Sequence, residues 1–222
     1  MTLRNSMAAL VLGAAYGAIT SLVNDVSSLY GMIGHHVADT PLAWAAQITS
    51  RLIGVGWAWA GLAMVAGWLA RSGARAALVG ALTLFAATAA YYGLDTVLRE
   101  VPLAQYWPEL RLWWIASVVL GPVLGVVGAA IRRPGVAGLL AGLTLPVGAV
   151  LGTTLDWLSN SIVTPFVTWP RMIVWVAATV GAGFVITRFL TAKRREQDTA
   201  VSSGASPDES MSGYDNASGA AS

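Results

Sequence analysis

The chain contains no cysteine, which excludes disulfides, thiolate catalysis and cysteine-ligated metal centres together. Charge is scarce too. Only 11% of residues are Asp, Glu, Lys or Arg, against about 25% in a typical soluble domain. Lysine occurs once, as Lys193, beside twelve arginines, and with the heavy use of Ala, Gly and Val this points to a GC-rich bacterial genome. No HExxH, GxSxG or phosphate-loop pattern occurs, and no other catalytic or cofactor-binding constellation is present. The expectation is a protein that is not an enzyme and holds no cofactor.

What the chain has instead is apolar length. Of its 222 residues, 56% are hydrophobic, and they gather into six stretches near residues 7–23, 52–70, 76–94, 112–131, 136–155 and 172–190. None contains lysine, and only the last contains arginine, Arg188 near its end. Each is about the length that a helix rising 1.5 Å per residue needs to cross roughly 30 Å of hydrocarbon. A barrel would show short alternating segments instead. The predicted fold class is therefore all-α, a polytopic membrane protein whose six transmembrane helices form three helical hairpins, with the lipid bilayer as its principal partner. Arg4 ahead of the first run also suits a signal peptide, but the run is long for one and no small-x-small cleavage site follows it cleanly. The pI near 9.2 would suggest nucleic acid in a soluble domain. Here the basic residues sit at span ends, where topology accounts for them, and nucleic acid is not an expected partner.

Charge asymmetry orients the spans. With the amino terminus inside, Arg4, Arg71, Arg75, Arg132, Arg133, Arg188, Lys193, Arg194 and Arg195 fall on the cytoplasmic side, nine of the thirteen basic residues. The opposite side carries Arg51, Arg99, Arg111 and Arg171 together with every acid before the tail: Asp25, Asp39, Asp95, Glu100, Glu109 and Asp156. The positive-inside rule then predicts a bacterial cell membrane protein with both termini cytoplasmic. Residues 1–195 make the predicted transmembrane domain. Residues 196–222, rich in Ser, Gly, Ala and Asp, lack the apolar content to bury a core and are predicted to be a disordered tail.

A repeat underlies the hairpins. Arg51, Arg111 and Arg171 are spaced by 60 residues, and Arg71, Arg132 and Lys193 by 61. GALTLF at Gly80 resembles AGLTLP at Ala141, and the odd spans run into Asp25, Asp95 and Asp156. Similar composition and equal loop lengths would produce some of this without ancestry. The first hairpin differs, since Asp25 to Arg51 is 26 residues where the matching steps are 16 and 15. Val26, Leu29, Tyr30, Ile33 and Val37 recur there at helical spacing, which predicts a short interfacial helix. Thr40 before Pro41 predicts a helix N-terminus.

Tyr91-Tyr92, Trp107-Pro108, Trp113-Trp114 and Gly121-Pro122-x-x-Gly125-x-x-Gly128 leading to Arg132-Arg133 together resemble an uncharacterised family of small multi-pass membrane proteins, mostly from actinobacteria. The resemblance covers about a fifth of the chain by motif. It implies a six-span layout and no activity, substrate or site.

Three groups of residues are candidates for a site. Asp25, Asp95 and Asp156 close the odd spans and Arg51, Arg111 and Arg171 open the even ones, so the neighbouring ends of each hairpin should bring an Asp and an Arg close. Together the six would either ring an outward vestibule selecting a polar or zwitterionic solute, or merely mark helix ends. Trp57 and Trp59, deeper in the second run, could line a ligand pocket, and Trp57, Tyr91 and Tyr92, with Asp95, are the candidate one, although membrane Trp residues more often face lipid or core. Pro122 and Pro146 lie about 15 Å deep by helical rise and would kink their helices, as transporters do at sites, although neighbours often re-satisfy such backbones. His35-His36 with Asp39 and Asp25 could hold a metal, but consecutive residues point about 100° apart on a helix, and an exposed interfacial loop is the plainer reading. GxxxG spacings at Gly13, Gly121, Gly138 and Gly148 serve either self-association or internal packing. Two function classes follow: a small-solute transporter or membrane-embedded solute-binding component, and a non-catalytic scaffold. An outward cavity lined by several hairpins would favour the first, and a sealed core the second.

Overall fold

The computed structural model describes residues 3–70, 72–159 and 164–204. Arg71, residues 160–163 and the last part of the tail, on which some of the orientation and domain readings rest, lie outside the described residues. Within them the fold is all-helical: α1 (Leu3–Ser27), α2 (Pro41–Ile53), α3 (Gly56–Ala70), α4 (Gly73–Leu98), α5 (Trp107–Ala130), α6 (Val136–Ser159) and α7 (Pro165–Gly204). By length and composition α1, α4, α5, α6 and α7 can each cross a membrane, and α2 with α3 passes the same test as a pair, bent by 65°. That gives five candidate spans, or six if the bent pair is one. Large apolar side chains stand open on the outside, such as Val118 at 65% and Phe184 at 68% exposure. Such a surface suits lipid and a multi-pass membrane protein.

The bend departs from the reading of residues 52–70 as one uninterrupted run. Its cause is local. Gly54 and Gly56 flank Val55, and each glycine costs about 1 kcal/mol relative to alanine inside a helix. Tyr16 donates its hydroxyl hydrogen to the Ile53 carbonyl at 2.7 Å, so a carbonyl released by the break is satisfied.

Packing centres on α4, which carries α1 on one side and α5 on the other, while α3 lies against both α4 and α5. Small residues make this approach close. A Cβ added at Gly13 or Gly17 would overlap the α4 backbone at Thr83 and Ala87. On α5, Gly121, Gly125 and Gly128 press on Ala81, Ala76 and Met64. These glycines thus belong to the protein's own interior, as small-x-x-x-small spacing allows. α1 packs chiefly on α4, meets the bent pair through α2 and hardly touches α3, while α4 packs along α5 and α6 along α7. The α6–α7 pair touches the rest more lightly, through α2, α3 and α5.

Other local expectations met different outcomes. Thr40 caps α2 by accepting from the Ala43 amide, with Pro41 in the first turn. The connection before it holds a single 3₁₀ turn, Gly34–His36, instead of an interfacial α-helix. Asp25 explains this, because its two carboxylate oxygens accept from the Met32 and Ile33 amides at 2.9 Å each and fold the segment back onto the end of α1. Both α5 and α6 continue through Pro122 and Pro146 as single elements. α7 runs on past Glu196 to Gly204, where irregular chain is the sequence expectation; Lys193, Arg194, Arg195, Glu196 and Gln197 are good helix formers and carry it outward.

Candidate functional site

Because α6 and α7 stand off from the core, a cavity of about 660 Å³ opens between them and the bent pair, reaching α5 at its back. Each wall is set by helical register. On α6, Leu145, Gly148, Gly152 and Asp156 all face the cavity, spaced three, four and four positions apart as one helix face requires. Gly148 and Gly152 have nothing within 4 Å of where a Cβ would be. They are cavity wall and not helix contact, which corrects the packing expectation for that GxxxG. Gly138 and Gly142 differ again: a Cβ at Gly142 would sit 2.8 Å from Val185 Cγ1 on α7.

The charged end of the cavity is made by Arg51 of α2, Asp156 of α6 and Arg171 of α7. Arg171 donates from Nη2 to Asp156 Oδ2 at 3.0 Å. The Arg171 side chain is the less exposed partner, 15% against 55% for that of Asp156, and its buried Nε–H has no hydrogen-bond partner among the described residues. Deeper in, the wall is mostly apolar, with Trp57, Met64 and Leu124, and the threonines Thr144 and Thr153 add the only hydroxyls among its described lining residues.

The other three vestibule candidates lie elsewhere. Asp25 is fully buried and committed to the two amides described above. Asp95 is also buried; it accepts from Arg99 Nε at 2.9 Å and from the Tyr106 hydroxyl at 2.6 Å. Arg99, one turn along the same helix, reaches it more directly than Arg111 across a loop. That hydrogen bond raises the Arg99 pKa above its ordinary value. Arg111 is exposed and lines no part of the large cavity. Among the described residues the expected Asp–Arg pairing across a hairpin therefore forms once, at Asp156 and Arg171, and the six charges do not ring one vestibule.

The expected aromatic pocket is also divided. Trp57 faces the large cavity, whereas Tyr91 and Tyr92 line a separate one of about 190 Å³ with Trp59, Trp113 and Asn24. Trp57 and Trp59 are two positions apart, roughly 200° around a helix, so they face opposite ways. Asn24 donates to the Tyr91 hydroxyl at 2.9 Å and accepts a short bond from Ser50. Gly56, at the bend, borders both cavities. The His35 and His36 ring centroids lie 3.7 Å apart with the planes tilted by 44°, and their Nδ1 atoms lie at hydrogen-bond distance from the Gly31 and Met32 carbonyls. Among the described residues no group of three or more His, Asp or Glu side chains is placed to hold a metal.

Sequence reasoning missed the bend at residues 54–56 and the α6 wall. The Gly-x-Gly opening a predicted span was the signal for the first. The register leading from Leu145 to Asp156 was the signal for the second. No family model, no curated protein and no solved structure matches the chain.

Proposed function

We propose that the chain is a six-span bacterial cell membrane protein, with both termini cytoplasmic, that binds a small solute in the large cavity and carries or presents it across the membrane. The supporting observation is the cavity itself, bounded by the broken span and the α6–α7 hairpin and closed at one end by Arg51, Asp156 and Arg171. In this reading the α2–α3 pair is one broken span. The helices packed on α4 form a rigid body and the α6–α7 hairpin rocks against it. The bend at Gly54 and Gly56 lets α2, which touches α7, follow that movement while α3 stays with the core. Broken helices placed beside a site are what alternating-access carriers use. The resemblance of residues 91–133 to the uncharacterised actinobacterial family adds the layout to this proposal and no activity. The scaffold alternative draws on the glycine-packed core, and leaves the charge-capped cavity without a role.

The test fills the cavity without touching the core. Gly148→Phe places a ring in open space on α6, so protein levels should hold. Proteoliposomes of the two chains are exposed to a metabolite extract, washed and compared by mass spectrometry. Wild type is expected to retain or accumulate at least one small molecule that the Gly148→Phe form does not. Identical inventories would remove the solute-binding reading and leave the scaffold.

A further inference from the structure

We infer that the solute of this cavity is an amphiphilic monoanion, one acidic group on an apolar body; this rests on the solute-site reading above and narrows it. The polar end carries two cationic side chains, Arg51 and Arg171, and one carboxylate, Asp156, so one positive charge is in excess. The burial is unequal in the same sense. Asp156 is largely open to water and its charge is screened, whereas Arg171 is mostly withdrawn from water, where a charge is felt more strongly. Arg171 also uses only part of its fork, with Nη2 on Asp156 and Nε unpartnered among the described residues. An orphaned donor on a buried cationic group is costly, and a small rotation toward a two-oxygen acid would use it in the side-by-side geometry that guanidinium favours.

The body of the solute follows from the rest of the wall. From Asp156 inward to Leu145 the cavity runs eleven positions along α6, about 16 Å at helical rise, past Met64, Leu124 and Val174. A sugar or other strongly polar solute would shed water against these side chains and find few partners besides the Thr144 and Thr153 hydroxyls, too few to replace its lost hydration. A chain of about ten carbons, or a ring system of similar reach, would bury apolar surface there instead. A cationic amphiphile would meet the excess positive charge. The zwitterion allowed by a balanced ring of six charges is therefore disfavoured, because only three of the six line this cavity. Two sources carry this chemistry: an organic acid arriving from water, and an anionic lipid whose headgroup reaches in from the leaflet.

Decanoate and decylamine serve as probes of opposite sign, with the full chain in phosphatidylcholine nanodiscs and binding read by thermal melting and calorimetry. Decanoate is expected to bind and raise the Tm. Arg171→Gln should weaken it about tenfold or more, the size of one lost charge-assisted contact, and Arg171→Lys by less, because the charge stays while the fork is lost. Arg51→Gln, at an exposed position, should weaken it in the same direction and covers the case in which Arg171→Gln does not fold. Native mass spectra distinguish the sources: phosphatidylglycerol retained by wild type and displaced by decanoate identifies a lipid, and decanoate binding without retained lipid identifies a water-borne acid. Decylamine binding that Gly148→Phe abolishes would overturn the charge assignment and leave the cavity as a site. Equal binding of both probes to the Gly148→Phe chain, or no binding of either probe to wild type, would overturn the inference outright; the extract comparison judges the solute-site reading separately.

Discussion

Gly125→Leu is expected to yield almost no folded protein. Gly125 sits where three helices meet: a Cβ there would overlap the Ala76 carbonyl on α4, and a Cβ at Gly67 of α3 would in turn overlap the Gly125 backbone. Overpacking a core costs about 1–3 kcal/mol when side chains can move aside. Backbone cannot move aside. Relief requires α5 to separate from α4 and α3 together, losing contacts along both, and the penalty should consume a large share of a total stability of about 5–15 kcal/mol. Fluorescence-detected size-exclusion chromatography after detergent extraction is the measurement. Gly152→Leu is the comparison, because its Cβ meets open space and its level should stay near wild type. Equal levels for the two variants would show that α4 and α5 are not packed as described.

Asp25→Ala is expected to lower stability nearly as much, by about 2–6 kcal/mol if each of two stranded amides costs about 1–3 kcal/mol. Asp25 is fully buried, and its oxygens hold the Met32 and Ile33 amides that turn the connection back over α1. Glycine makes the fit tight, since a Cβ at Gly31 would overlap the Asp25 carbonyl. Water has little room to replace the carboxylate. Asp25→Asn should fall between, because its amide oxygen can accept one of the two bonds while its NH₂ opposes the other donor. Thermal melting in detergent reads the order wild type, Asn, Ala. An Asp25→Ala chain that melts with wild type would mean the connection does not depend on this carboxylate.

These two residues also show what could be read in advance. Gly125 was legible as a packing glycine because small-x-x-x-small spacing in an apolar run lets helix backbones approach closely. The apolar stretches were legible as helices because lipid leaves the backbone no other partner. Asp25 was legible only as the end of a span. Its actual work, capping amides seven and eight positions onward, depends on a tight turn that no periodicity announces. Repeat logic pairs Asp95 with Arg111, yet Arg99 stands one turn away and local geometry wins. The pairing of Asp156 with Arg171 survives because no closer arginine competes in sequence. Depth makes Trp57 and Trp59 equal pocket candidates, and only Trp57 is grouped with Tyr91 and Tyr92 by sequence. Depth does not fix which side of a helix a residue faces, and Trp59 takes that place. The cavity escapes detection because Gly148 and Gly152 carry the same spacing as the packing glycines. Whether a glycine meets another helix or open space is a matter of tertiary arrangement.

Accessibility of the cavity from outside the cell bears most directly on the central claim, and the absence of cysteine makes it measurable with single substitutions. Gly152→Cys puts a thiol in the cavity wall near Asp156. Leu151→Cys, one position earlier, puts it on the exposed side of α6, at a residue 58% exposed and outside the cavity lining. In lipid a thiol is not ionised and reacts poorly. Intact cells treated with a membrane-impermeant maleimide are expected to label the Gly152→Cys chain and spare the Leu151→Cys chain. Adding Gly148→Phe to the Gly152→Cys chain should suppress its labelling. Equal labelling of the two single variants, or labelling of Gly152→Cys only after the cytoplasmic side is opened, would contradict an outward-facing solute cavity.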